Sequence, residues 1–171
     1  MSVQKTRPRA SNLLVAAAIT LSVLGASLHW APANAYDEQS VSAVNVDSQG
    51  IALQGFDPVA YHVQGAPAKG KAALSEKFEG ATYWFASTGN RDTFRANPGK
   101  YAPAYGGFCA MGVALEKKLD IDPQLWRIVD GKLYLNVHKA AQGRWLEDPK
   151  ANIREADAIW ARIQGKAPKS L

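Results

Sequence analysis

Sulfur and imidazole are scarce in this chain of 171 residues. Cys109 is its one cysteine, and beyond residue 35 it is joined by one methionine, Met111, and two histidines, His62 and His138. Soft thiolate and thioether ligands favour copper(I), and imidazole suits copper and zinc. If residues 108–113 are extended, Cys109 and Met111 share a face, because side chains alternate along a strand. A copper(I) site of His62, Cys109 and Met111 is one reading of this set. The other is a buried cysteine beside a core methionine, since free cysteine is among the most buried residue types and methionine fills gaps.

Catalysis through Cys109 requires a base, His62 or His138, and a nearby cation or helix N-terminus to lower the thiol pKa. The immediate neighbours, Phe108 and Ala110, supply neither. No Cys-x-x-Cys, His-Glu-x-x-His or phosphate-binding loop is present, and Gly106-Gly107 is not followed by the Lys-Ser/Thr such a loop needs. The expectation is therefore a protein that is not an enzyme, with a Cys109/His thiol enzyme as the minor alternative. Tyr61, Tyr83, Trp84, Phe85, Tyr101, Tyr105 and Phe108 crowd a short span. They either line a cleft for a small ligand or partner, or form the core of a small domain, the commoner use of aromatics at such spacings.

The elements that must position these groups begin after a leader. Lys5, Arg7 and Arg9 precede an uncharged apolar stretch, Leu13–Leu28, and Ala33-Asn34-Ala35 offers a small-x-small cleavage site. The stretch is shorter than the ~20 residues of a membrane span. Residues 1–35 are therefore expected to be a cleaved signal peptide, with a retained anchor as the alternative. The leader holds three of the 20 basic residues and none of the 15 acidic ones, so the remainder carries a net charge of +2. No block of like charge marks a nucleic-acid tail. A lone cysteine excludes an internal disulfide, and a chain of this size buries enough surface to fold without one.

Residues 36–49 read as a linker or a weak edge strand, residues 50–164 as the domain and residues 165–171 as a flexible tail. Val59–Val63 is expected to be a strand. Leu74–Phe78 and Ala81–Ala86 flank Glu79-Gly80 as a hairpin, and Trp126–Val129 and Lys132–Val137 flank Asp130-Gly131 as a second, clearer one. Ser87 or Thr88 caps a helix carrying Phe94. Asp148 caps a C-terminal helix with Pro149 at its first position and an apolar stripe of Ile153, Ala156, Trp160 and Ile163. Residue identities reveal no internal repeat. The expected fold class is α+β, a single domain of small antiparallel hairpins with two or three packed helices.

Gly55-Phe56-Asp57-Pro58-Val59-Ala60-Tyr61-His62, then Gly80-Ala81-Thr82-Tyr83-Trp84-Phe85-Ala86-Ser87, then Asn90-Arg91-Asp92-x-Phe94, Pro98-x-Lys100-Tyr101-Ala102-Pro103 and Tyr105-Gly106-Gly107-Phe108-Cys109-Ala110 form an ordered series. The series resembles the YHS-domain family in its small exported form, over about residues 50–160. The family is related to TRASH-type metal-binding modules and occurs in heavy-metal-transporting ATPases, so the resemblance implies metal handling. Ala60, Ala86 and Asn90 stand where the metal-transport versions carry cysteines, and those ligands do not carry over.

The combined expectation is an exported protein, periplasmic or secreted. It handles heavy metal weakly, copper(I) first, through His62, Cys109 and Met111. The alternative is a non-catalytic module for a small ligand or partner, in which Cys109 is structural. Neither nucleic acid nor stable membrane insertion is expected.

Overall fold

Capping side chains and prolines set most element boundaries. The computed structural model describes Met1, Ser2 and residues 36–171; residues 3–35, on which the expected leader falls, lie outside the described residues. From Tyr36 onward the elements are α1 (Pro58–Val63), β1 (Lys71–Phe78), β2 (Ala81–Phe85), α2 (Thr88–Ala96), α3 (Pro98–Tyr101), α4 (Ala110–Ala114), β3 (Asp122–Val129), β4 (Lys132–Asn136), α5 (Lys139–Glu147) and α6 (Pro149–Ile163). Both sheets are two-stranded antiparallel hairpins, β1-β2 and β3-β4. The α+β class therefore holds, with short helices added to those expected. Among the described residues no helix is long and apolar enough to cross a membrane.

Two segments depart from expectation. Val59–Val63 is helical, because Asp57 Oδ1 accepts from Val59 N at 2.8 Å and Ala60 N at 3.3 Å, and Pro58 occupies the first helical position. Residues 110–114 are helical too, with Cys109 as the cap, so strand alternation does not relate Cys109 to Met111.

The structure also shows a repeat that residue identities conceal. Leu53, Gln54 and Gly55 all have positive φ and lead through Phe56 to the cap Asp57; Tyr105, Gly106 and Gly107 all have positive φ and lead through Phe108 to the cap Cys109. β1 starts at Lys71 and β3 at Asp122, 51 residues on, and both hairpins slip register at the same place, between Lys71 and Ser75 and between Asp122 and Trp126. Both turns put two residues at positive φ, Glu79-Gly80 and Asp130-Gly131, as a type I′ turn requires. Ser87 then caps the nine-residue α2 and His138 the nine-residue α5. Asn97 and Asp148 end these helices with closely similar backbone angles, and Pro98 and Pro149 each start the next. Even the core pairs correspond: Tyr83 lies on Phe94 at 5.1 Å and 36°, Tyr134 on Trp145 at 5.3 Å and 34°. Residues 53–163 thus form two copies of one unit, helix, hairpin, capped helix and Pro-initiated helix, with α6 the longer version of α3.

The units share one core, to which Tyr61, Tyr83, Phe85, Phe94, Phe108, Leu133, Leu135 and Trp145 all belong. The crowded aromatics are mostly core, not cleft: of the seven, all but Trp84 are buried. Residues 36–49 and 165–171 are not a free linker and tail. Val44 and Asn45 are buried, and Asn45 N donates to Gly106 O at 2.9 Å. That approach requires glycine, since any side chain at 106 would meet the Ala43 carbonyl. Lys118, 1 % exposed, joins both ends to the domain: its Nζ donates to Ser42 O (2.8 Å), Gln164 O (3.0 Å) and Lys166 O (2.7 Å) and lies over the Phe108 ring at 4.6 Å. Burial pulls this ammonium down to about 8, while the three carbonyls and the ring face favour its charge.

Candidate functional site

Cys109 does structural work that a carboxylate does in the first unit. The Asp57 side chain is fully buried. Its Oδ1 accepts from Ala60 N, and its Oδ2 accepts from Ala86 N at 2.9 Å and from Asn90 Nδ2 at 2.6 Å. In this way it pins the start of α1 to the end of β2. In the second unit Cys109 Sγ accepts from Gly112 N at 3.3 Å and Val137 N at 3.4 Å, pinning α4 to the end of β4. The thiol donates to Asn136 Oδ1 at 3.6 Å, and the same oxygen takes Met111 N at 3.2 Å. Burial pushes the Cys109 thiol up, and backbone N–H groups of Gly112, Val137 and Met111 oppose that only in part.

A side-chain difference between the units opens a cavity here. Asn90 reaches Asp57 from the first turn of α2; the corresponding residue of α5 is Ala141, which reaches nothing. The space beside Cys109 is a cavity of about 260 Å³, walled by Met111, Leu115, Leu119 and Val137, with His138 and Arg144 also lining it. His138 accepts from Ala141 N through Nδ1 at 3.0 Å, so in its neutral form the ring carries its proton on Nε2. Arg144 makes no ion pair among the described residues. An opening of about 340 Å³ between Leu115–Lys117 and residues 166–171 offers no imidazole, thiol or guanidinium.

The structure brings Cys109 and Met111 to one cavity and leaves His62 out of it. His62 packs edge-on against Tyr101, ring centroids 5.2 Å apart, with Nε2 buried and without a hydrogen-bond partner among the described residues. Burial, then the ammonium groups of Lys100 and Lys132, holds its imidazole below the ordinary value. The imidazole at the cavity is His138. Sequence spacing could not single it out, because its place there follows from capping α5. Among the described residues no cluster of three or more His, Cys, Asp or Glu side chains has metal-binding geometry. A nucleophilic thiolate is also poorly served: the sulfur's partners are two N–H donors and an amide oxygen, and no base accepts from it.

Residues 59–105 match the YHS domain family, a stretch running from α1 of the first unit to the turn that opens the second. Residues 59–105 are thus similar to the YHS domain, and in the structure that stretch corresponds to one unit of a two-unit fold. No curated protein matches the chain, and no solved structure does.

Proposed function

We propose that this is a non-catalytic YHS-type binding protein, exported through residues 1–35, that takes a small ligand in the Cys109 cavity, with Cys109 itself structural. The observation that carries this reading is the replacement of Asn90 by Ala141 at the equivalent point of the second unit, which leaves a largely apolar space floored by a sulfur already committed to three hydrogen bonds. Small-molecule sites are concave and mostly apolar, with a few polar groups fixing orientation. The test is an amide NMR titration of the chain from Tyr36 with a panel of small organic molecules. Saturable shifts confined to Met111, Gly112 and residues 137–144 support the reading; a panel that leaves those amides unmoved ends it.

Copper(I) handling is the second reading, favoured by one fact: Cys109, Met111 and His138 line the same cavity. Binding there requires the thiol to lose its proton and leave Asn136. Anaerobic competition against a chromophoric copper(I) chelator decides it. Capture of one equivalent, lost in Cys109→Ser, places the metal at the cavity, and no capture removes it.

A further inference from the structure

The Cys109 cavity has a charge character as well as a shape. Its apolar wall is Met111, Leu115, Leu119 and Val137, and among the described residues its only ionisable side chains besides the buried thiol are His138 and Arg144. Among the described residues no carboxylate lines it. The guanidinium has no acidic partner among the described residues, and the imidazole, its Nδ1 occupied by Ala141 N, presents Nε2–H as a second donor. Two donors, one permanently cationic, beside an aliphatic pocket complement a molecule with an anionic head and a short apolar body. Arg favours carboxylates because its planar fork matches their two oxygens. At the equivalent place in the first unit Asn90 is hydrogen-bonded to Asp57, whose carboxylate would repel an anionic head.

We propose that the cavity selects short-chain organic monocarboxylates, with the carboxylate held by Arg144 and His138 and the chain lying against Met111, Leu115 and Leu119. This rests on the small-ligand reading above and adds the chemical class. At about 260 Å³ the space is smaller than the 300–1,000 Å³ usual for drug-sized ligands, which limits the body to a few carbons.

The test compares hexanoate, hexan-1-ol and hexylamine by amide NMR titration of the chain from Tyr36, in wild type, Arg144→Gln and Ala141→Asn. Arg144 is exposed, so Arg144→Gln leaves the fold intact, and Ala141→Asn refills the cavity as Asn90 does in the first unit. The expected result is hexanoate binding about tenfold tighter than hexan-1-ol, with that preference lost in Arg144→Gln, in line with the worth of one charge-assisted hydrogen bond. Hexanoate binding is also expected to vanish in Ala141→Asn. Equal binding of alcohol and carboxylate, or a preference for hexylamine, would overturn the charge selection while leaving the cavity a ligand site. Failure of all three probes at the cavity amides would overturn both. Hexanoate binding that survives Ala141→Asn would place the ligand elsewhere and overturn the assignment.

Discussion

Cys109 and Asp57 occupy the same position in two copies of one structural unit. Asp57 takes Ala60 N and Ala86 N, three residues ahead and at the end of β2; Cys109 takes Gly112 N and Val137 N, three residues ahead and at the end of β4. A thiol has replaced a carboxylate as the acceptor that locks a helix start to a strand end. The residue that looks most reactive in the sequence is therefore held in place by its own hydrogen bonds.

That arrangement sets the behaviour of the thiol. Cys109 is 0 % exposed, so the native protein should resist thiol labelling until it is unfolded. Cys109→Ala strands the buried Gly112 N–H and the part-buried Val137 N–H and should cost about 1–3 kcal/mol in guanidinium chloride unfolding. Because burial raises the folded thiol pKa, the unfolded chain releases this proton first as pH rises. The wild type's advantage over Cys109→Ala should be complete below the ordinary thiol pKa of about 8.5 and shrink above it, by at most ~1.4 kcal/mol per pH unit. Rapid native labelling, or an advantage that grows with pH, would contradict this.

His62 should titrate in the opposite window. Its imidazole is held below the ordinary value by burial and by Lys100 and Lys132. Below about pH 6.5 the unfolded chain takes up a proton that the folded chain refuses, so His62 lowers stability as pH falls toward its folded pKa. Imidazole NMR should show a midpoint below 6.5 that rises in Lys100→Gln/Lys132→Gln. His62→Phe should remove this part of the acid sensitivity. Copper(I) competition should be unchanged in His62→Phe, since His62 lies outside the cavity.

Lys118 should prove a structural cation. Lys118→Met leaves the carbonyls of Ser42, Gln164 and Lys166 without their donor, and a loss of about 2–4 kcal/mol is expected by chemical denaturation. Limited proteolysis of the variant should cut within 36–49 or 164–171 before the rest. Unchanged stability with both ends still protected would show that other contacts hold them.

Much of the fold was legible in local chemistry. Glu79-Gly80 and Asp130-Gly131 marked both hairpins, and Ser87, Asp148 and Pro149 marked helix starts, because turns and caps depend on a few adjacent residues. The apolar run Val59–Val63 suggested a strand, and the Asp57–Pro58 cap that makes it a helix was missed. α5 went unseen because its cap is a histidine, an unusual acceptor for an N-terminal amide. The repeat stayed hidden because backbone geometry is preserved where side chains are not: Gly55 and Gly107, Phe56 and Phe108, and Tyr83 and Tyr134 match, whereas Asp57 and Cys109, Phe94 and Trp145, and Ser87 and His138 differ. The candidate site was half legible. Cys109 and Met111 do meet at one cavity, but the histidine beside them is set by the β4–α5 corner, a tertiary feature that spacing does not encode.

The equivalence of the two units is tested most directly by a double-mutant cycle on Cys109→Asp and Ala141→Asn, which together rebuild in the second unit the Asp57–Asn90 pair of the first. Unfolding free energies of the wild type, both single variants and the double variant should yield a favourable coupling of about 1–3 kcal/mol, the range for residues in direct contact. Strictly additive effects, or an unfavourable coupling, would show that position 141 does not face position 109 as Asn90 faces Asp57.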